Sequence, residues 1–381
     1  MAGTIRDKTR HAARDATTDA ALAAIQRGET LAANWYTDPA LFAREQQRIF
    51  GESWQYVGLT EQVTAPGDFF TCTLGDVPVV VVRDEHGGLR AFANVCRHRG
   101  SQLVLADCGN RKTLQCHYHA WTYNLDGTLR AAPASQDEPD FDRAAYPLHA
   151  LPVEAWGPFI FVTPDRHARP LAELLGELPA LVAATGLDLG GLRRRVRRTY
   201  DIAANWKVVV DNYLECYHCP VAHPGFCDLI DVNEYVVTEY EHFSTQHGKL
   251  KETARSGHQP GLYNASAGVQ EGFYAYLWPN FTINVYPGPG NVSLNLFVPL
   301  DVNRTLAVYD YCFSDAVTAG EERDFVRFID QVQEEDIVLC ESVQRGLRSG
   351  FFERGHLMLT RERGLQHFQR LVARTLGASR A

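Results

Sequence analysis

The sequence contains no run of 18 apolar residues, so a membrane-spanning helix is excluded. Its first fifteen residues, MAGTIRDKTRHAARD, lack an apolar h-region, and no secretory leader is expected. Positive charge is in deficit. Lys and Arg total 37 against 46 Asp and Glu, a net charge of −9, which disfavours a global attraction to nucleic acid. No glycine-rich nucleotide fingerprint follows a strand, so the sequence gives no signal for a dinucleotide site of its own. There is no internal repeat and no low-complexity segment. The nine cysteines are an odd count in a large chain. That argues against a secreted disulfide framework and for a reducing cytoplasm, with some cysteines on metal.

What is present is an ordinary globular composition, 45% hydrophobic and 22% charged over 381 residues. This length corresponds to two or three domains. Residues 1–15 are polar and expected to fray. An Ala-rich stretch, Ala20 to Arg27, and an amphipathic stretch opened by Asp38-Pro39 predict two short helices. From Trp54 the period changes to two. The runs Trp54–Leu59, Asp68–Leu74, Pro78–Arg83 and Leu89–Asn94, separated by glycine turns, predict a small antiparallel β domain. It continues through 113–124 and Trp156–Val162, with Asp126-Gly127 as a hairpin signal. Residues 164–190 return to helical spacing. Long β-rich segments follow (Tyr235–His247, Gly272–Pro287, Val292–Pro299, Thr305–Phe313), then two helices, Ala319–Arg348 and Arg363–Leu376. A curved antiparallel sheet on long helices is an α+β architecture. The basic run Arg193–Arg198 reads as a solvated edge or salt-bridge strip, the alternative being a docking patch for an acidic redox partner.

Two constellations carry chemistry. The first is Cys96-Arg97-His98, seventeen residues, then Cys116-His117-Tyr118-His119. Two cysteines and two histidines can hold zinc, or a [2Fe–2S] centre with cysteines on one iron and histidines on the other. A zinc finger would group like with like, whereas here each loop supplies one of each. His117 is expected to face solvent or to bond to the backbone. The second constellation is Asn205–Pro224, NWKVVVDNYLECYHCPVAHP. His218 and His223 stand five apart, with Glu215 three and Asp211 seven residues before His218. Two imidazoles and a carboxylate on one face, with the other face open, suit non-haem Fe(II). Pro220 is expected to interrupt the helix between the histidines. Cys216-x₂-Cys219 could suggest zinc, but Cys216, Cys219 and Cys227 are expected to be small buried packing residues.

Together, Cys96-x-His98-Arg99-Gly100, Cys116-x₂-His119-x-Trp121 and the His218/His223 stretch resemble the α-subunits of Rieske non-haem iron oxygenases, over about residues 30–376. The resemblance implies an N-terminal helical segment (1–44), a Rieske β-sandwich domain (45–165) and a helix-grip catalytic domain (166–381). It implies a [2Fe–2S] cluster on Cys96, His98, Cys116 and His119, and mononuclear Fe(II) on His218, His223 and Asp336. Asp336 follows from the family pattern within Gln333-Glu334-Glu335-Asp336, Glu335 being expected to face solvent. It implies that Glu215 bridges His218 to His119 of the partner subunit, with Asp211 and Asn212 along the route to iron. It implies a homotrimer fed by a separate flavin/iron–sulfur reductase or ferredoxin. The ECYHC form of the motif is similar to the branch acting on glycine betaine, proline betaine and carnitine, and so implies N-demethylation with formaldehyde release. The alternatives are an aromatic-ring hydroxylating dioxygenase and a non-catalytic Rieske redox protein. The aromatic strand 273–281 is the expected substrate wall, with Tyr276, Trp278 and Phe281 facing a cation.

Overall fold

The structure, a computed structural model, describes residues 18–252 and 268–378. The polar stretch 1–15 lies outside the described residues. The chain separates into two compact units, 46–174 and 1–45 with 175–381. The helical segment expected at 1–44 therefore belongs to the same unit as the C-terminal two hundred residues. The sequence shows why. Glu45 is buried there against Lys207, Oε1 to Nζ 2.6 Å with neither side chain exposed, and Trp206 Nε1 donates to Glu45 Oε2 at 2.7 Å. A charge withdrawn from water needs a fixed partner, and here the partners stand 162 positions apart in the chain.

The 46–174 unit is built of three small antiparallel sheets. Its five-stranded sheet runs Cys108–Asn110, Asp68–Leu74, Val77–Arg83, Leu89–Ala93, Ala150–Leu151. Val79 to Val82 are fully buried, so both faces of this strand are covered. A three-stranded meander, Leu114–Gln115, Thr122–Tyr123 and Leu129–Ala131, carries the second cysteine–histidine loop.

The other unit is one seven-stranded antiparallel sheet. Its order is Arg193–Ile202, Arg304–Phe313, Asn291–Asp301, Phe281–Tyr286, Gly272–Leu277, Phe243–Gly248, Val236–Glu239. Two expected strands are each a hairpin: 235–247 turns at 240–242, and 272–287 turns at the cis Trp278–Pro279 bond. Helix Ala319–Leu347 opens with a capping box, Thr318 and Glu321. It and Arg363–Gly377 contact the sheet and the helix Trp206–Tyr213. The basic run lies on the edge strand, turned onto acids of its own unit. Arg197 holds Asp310 with two bonds of 2.6 Å, Arg195 meets Glu322 and Arg198 meets Asp330. These charges pin the edge strand to its neighbour strand and to the long helix.

Candidate active site

In the 46–174 unit, Cys96 and Cys116 are buried while His98 is exposed and His119 partly so. The two loops close in the same way. Gly100 N–H donates to Cys96 O at 3.1 Å and Ala120 N–H to Cys116 O at 3.0 Å; Cys96 N–H and Cys116 N–H return to Ser101 O and Trp121 O, each at 2.8 Å. Gly100 and Ala120 both sit at positive φ, +73° and +57°. For alanine that conformation is unfavourable by about 1–2 kcal/mol, which the closed turn offsets. The imidazoles of His98 and His119 meet edge to face at 4.6 Å, and Trp121 stacks on His98 at 5.0 Å. Burial pushes the Cys96 thiol up, and the neighbouring Cys116 adds to it. Two buried thiols below two adjacent imidazoles fit a [2Fe–2S] centre with one cysteine and one histidine from each loop. His117 is exposed.

The second constellation starts from a helix cap. Asn205 Oδ1 accepts from Lys207 N–H and starts the helix Trp206–Tyr213. This helix ends before the histidines. His218 instead caps a new four-residue helix, Cys219–Ala222, and His223 ends it. Pro220 thus sits in the first turn of a new helix, where a proline is tolerated, rather than breaking a continuous one. The histidines leave the two ends of that short helix and converge. His218, His223 and Asp336 each present a ligand atom, all within 4.8 Å of one another. Asp336 Oδ1 lies 2.9 Å from His223 Nε2 and 3.4 Å from His218 Nε2.

Behind each imidazole stands a carboxylate. Glu215 Oε1 is 2.5 Å from His218 Nδ1, and Glu215 Oε2 accepts from the main-chain N–H groups of Tyr217 and His218. Glu335 Oε2 is 2.7 Å from His223 Nδ1. The expected solvent-facing role of Glu335 is therefore corrected. It is only partly exposed and orients a ligand, while Glu334 is the exposed neighbour. With both Nδ1 atoms turned to these carboxylates, both Nε2 atoms are left facing Asp336. Burial opposes a proton on His218, yet Asp336 and Glu215 outweigh it and hold the imidazole up at about 10. His223 is raised by Asp336 and Glu335 against the same opposition. Three carboxylates around two imidazoles call for a compensating cation, and an N,N,O donor set of this kind fits Fe(II). Removing one such orienting carboxylate typically weakens metal binding about 10–100-fold. Glu335→Ala is therefore expected to raise the iron dissociation constant by that factor with the cluster spectrum unchanged, as read by chelator competition.

The three cysteines of this stretch are not alike. Cys216 and Cys219 are joined as a disulfide, whereas Cys227 is free. This corrects the expectation of three unlinked packing residues. The spacing was visible; the odd cysteine count argued the other way.

Two cavities meet at Glu215 and His218, both of which line each of them. One, of about 130 Å³, also contains His223 and Asp336. Six rings line it: Tyr213, Phe226, Tyr235, Tyr274, Tyr286 and Tyr309. Among its described lining residues there is no lysine or arginine. The expected wall residues Tyr276, Trp278 and Phe281 are elsewhere. Tyr276 and Trp278 pack on Phe368, and all three are buried outside the cavity lining. Tyr274 and Tyr276 share a face of their strand, but only Tyr274 reaches the cavity. The other cavity, about 490 Å³, has the more apolar wall, including Val208, Leu339 and Leu365.

Asp211 faces this second cavity; Asn212 lines both. Tyr36 OH donates to Asp211 Oδ2 at 2.6 Å and Gln369 Nε2 at 3.0 Å. Burial raises the Asp211 carboxyl from 3.8 to about 7, against the pull of these bonds and of Lys207. Between those two values the folded chain keeps a proton that the unfolded chain has released, so this group's contribution to stability falls as pH rises through the window and is level above it. Asp211→Asn keeps an acceptor for Tyr36 and removes the titration. Its unfolding midpoint is expected to match wild type near pH 4 and to exceed it by roughly 5 °C at pH 8. Thermal scans at the two pH values check this.

The fold and the two centres define a redox protein with two metal sites, one fit for a histidine-ligated iron–sulfur cluster and one for mononuclear iron. Residues 53–150 match the Rieske [2Fe-2S] domain family and residues 189–378 the ring hydroxylating alpha subunit (catalytic domain) family. Among curated proteins, the chain is 36% identical over 367 residues to the chloroplastic choline monooxygenase of Arabidopsis thaliana, covering 92% of this chain and 84% of that one. It is 33% identical over 357 residues to the carnitine monooxygenase oxygenase subunit of Escherichia coli K12, covering 91% and 94%. Among solved structures it resembles a quaternary ammonium Rieske monooxygenase described for carnitine oxidation and inter-subunit electron transfer (TM-score 0.82, 30% identity, 93% and 97% covered). The chain belongs to the Rieske non-haem iron oxygenase α-subunits, and it is a monooxygenase of that family. The cofactors of the family are the Rieske cluster and mononuclear iron. No described helix is long and apolar enough to cross a membrane.

Proposed function

We propose that this monooxygenase hydroxylates an N-methyl group of a small quaternary ammonium compound of the glycine betaine, proline betaine or carnitine type. The hydroxymethylated nitrogen then releases formaldehyde and leaves a demethylated amine. One O₂, two electrons and two protons balance the hydroxylation, one oxygen entering the substrate and the other leaving as water. The observation that carries this reading is the iron-site cavity. Six aromatic rings and no described cationic side chain suit a trimethylammonium group, which aromatic faces attract. The substrates named for the relatives, choline and carnitine, belong to the same chemical class.

Iron(II) on His218, His223 and Asp336 would supply oxygen activation, and the cluster on Cys96, His98, Cys116 and His119 would supply single electrons. The chain's own groups do the positioning. Glu215 and Glu335 fix both imidazole tautomers. Tyr309 donates to Gln333 one turn from Asp336, and so steadies the helix that carries the carboxylate. Glu215 forms the wall between the substrate cavity and the second cavity. That position supports a bridge from His218 to His119 of the partner subunit within a homotrimer. Electrons would enter from a separate NAD(P)H-dependent reductase or ferredoxin in the cytoplasm.

The test uses the purified chain with a surrogate reductase, NADH and a panel of quaternary ammonium compounds. Formaldehyde release in step with NADH consumption is expected, with about three irons and two sulfides per chain. A cis-diol from an aromatic acid, without formaldehyde from any cation, would instead place the chain with the ring dioxygenases. A content of about two irons would reduce it to a redox protein without a mononuclear centre.

A further inference from the structure

The polar groups behind the aromatic cavity are not equally occupied. Tyr213 OH donates to Asn284 Oδ1 at 2.5 Å, and Asn284 Nδ2 donates to Thr282 and Ser293. Gln246 is different. Its side chain is buried, 1% exposed, and Nε2 donates to the main-chain oxygen of Tyr213 at 3.1 Å. That carbonyl can only accept, so it fixes which end of the amide faces it. The other end, Oε1, has no hydrogen-bond partner, and Gln246 lines the iron-site cavity. Asn295, 4% exposed, lines the same cavity, and its Oδ1 is likewise without a partner. A buried carbonyl oxygen left unpaired is unfavourable, and one in a native site calls for an explanation.

We propose that Gln246 is a specificity-determining residue. Its side-chain oxygen, with that of Asn295 as a second acceptor, contacts the positive head of the substrate and distinguishes it from a neutral group of the same shape. This rests on the quaternary ammonium reading above and adds to it a named polar contact. The methyl hydrogens of a trimethylammonium group carry much of its positive charge. They make C–H···O contacts with carbonyl oxygens while the rings face the remaining methyl surface. A neutral tert-butyl group has the same volume and would fill the cavity equally well, but it offers the oxygens no charge. A substrate carboxylate would be repelled by these two acceptors, so the head and not the acid end is directed to them. The sheet register supports the placement. Gln246, Tyr274 and Asn284 lie directly opposite one another on three neighbouring strands, so ring and acceptor form one row.

The experiment compares wild type, Gln246→Met and Asn295→Leu, each with cluster absorbance and iron content verified. Choline, glycine betaine and carnitine are each paired with the carbon isostere in which tert-butyl replaces trimethylammonium. Dissociation constants come from competition against turnover of whichever cation the wild type oxidises. Wild type is expected to favour the cation over its isostere. Gln246→Met is expected to lose about fivefold in cation affinity, with KM rising more than kcat falls and isostere binding unchanged. Asn295→Leu is expected to move the same way by a smaller factor. Equal weakening of cation and isostere in Gln246→Met, or no change in either, overturns the assignment of Gln246 and leaves the substrate class standing. A wild type that binds the isosteres as tightly as the cations overturns the substrate class itself, and the assignment with it.

Discussion

Asp336→Ala is expected to empty the mononuclear site and to lower turnover by at least about a hundredfold, while the cluster keeps its visible spectrum. Asp336 is the one oxygen ligand facing both Nε2 atoms. Without it, the two imidazoles face each other across a gap with their carboxylates behind them. The helix supplies the reason for choosing Asp336 over its acidic neighbours. Ile329, Val332, Gln333 and Asp336 all line the cavity, and their spacings of three and four place them on one face. Glu334 points to water and Glu335 to the far side of His223. Iron per chain, measured beside sulfide per chain, separates the outcomes. Iron should fall from about three to about two with sulfide constant. If Glu335→Ala removes the third iron completely and Asp336→Ala does not, the ligand assignment is wrong.

Glu215→Gln is expected to retain iron and cluster yet to lose reductase-driven turnover by about a hundredfold or more. Glutamine keeps one side-chain oxygen, which can still accept from the N–H groups of Tyr217 and His218, while its NH₂ takes the place of the oxygen beside His218 Nδ1. What it removes is the charge of the group proposed to bridge the two redox centres. The discriminating arm is hydrogen peroxide, which supplies oxygen and electrons together and so bypasses delivery from the cluster. Peroxide-driven product formation should stay within a few-fold of wild type, while NADH-driven formation collapses. Parallel loss in both arms would mean that Glu215 serves only to hold His218. Glu215→Ala is a harsher change, because it also deletes the acceptor for two main-chain N–H groups.

How far the sequence carries this site depends on the length scale of each signal. Cys96, His98, Cys116, His119, His218 and His223 were legible because metal ligands cluster within a few residues of one another, and each short loop declares its own chemistry. The long strands and the two closing helices were legible from period alone, with boundaries off by a few residues. Glu335 reads as solvent-facing in the sequence, because its partner lies 112 positions upstream and nothing local marks an acidic residue as turned toward a histidine. The substrate wall was misplaced for a related reason. The strand 273–281 is the densest aromatic run, but density along one strand does not report which of its rings face a cavity. The cavity instead takes Tyr213, Tyr235, Tyr274, Tyr286 and Tyr309 from separate helices, loops and strands, and only strand register brings them together. The N-terminal segment joins the catalytic unit through Glu45 and Tyr36, contacts between residues far apart in sequence that no periodicity reports.

The bond between Cys216 and Cys219 has a consequence for the loop that carries His218. It closes a loop with Tyr217 and His218 inside it, at a sequence separation of only three. A loop that short restricts the unfolded chain little, so its effect falls on the native site. It joins the residues on either side of Tyr217 and His218, directly after Glu215. The link thus ties together the backbone on both sides of His218 within the wall of the iron-site cavity.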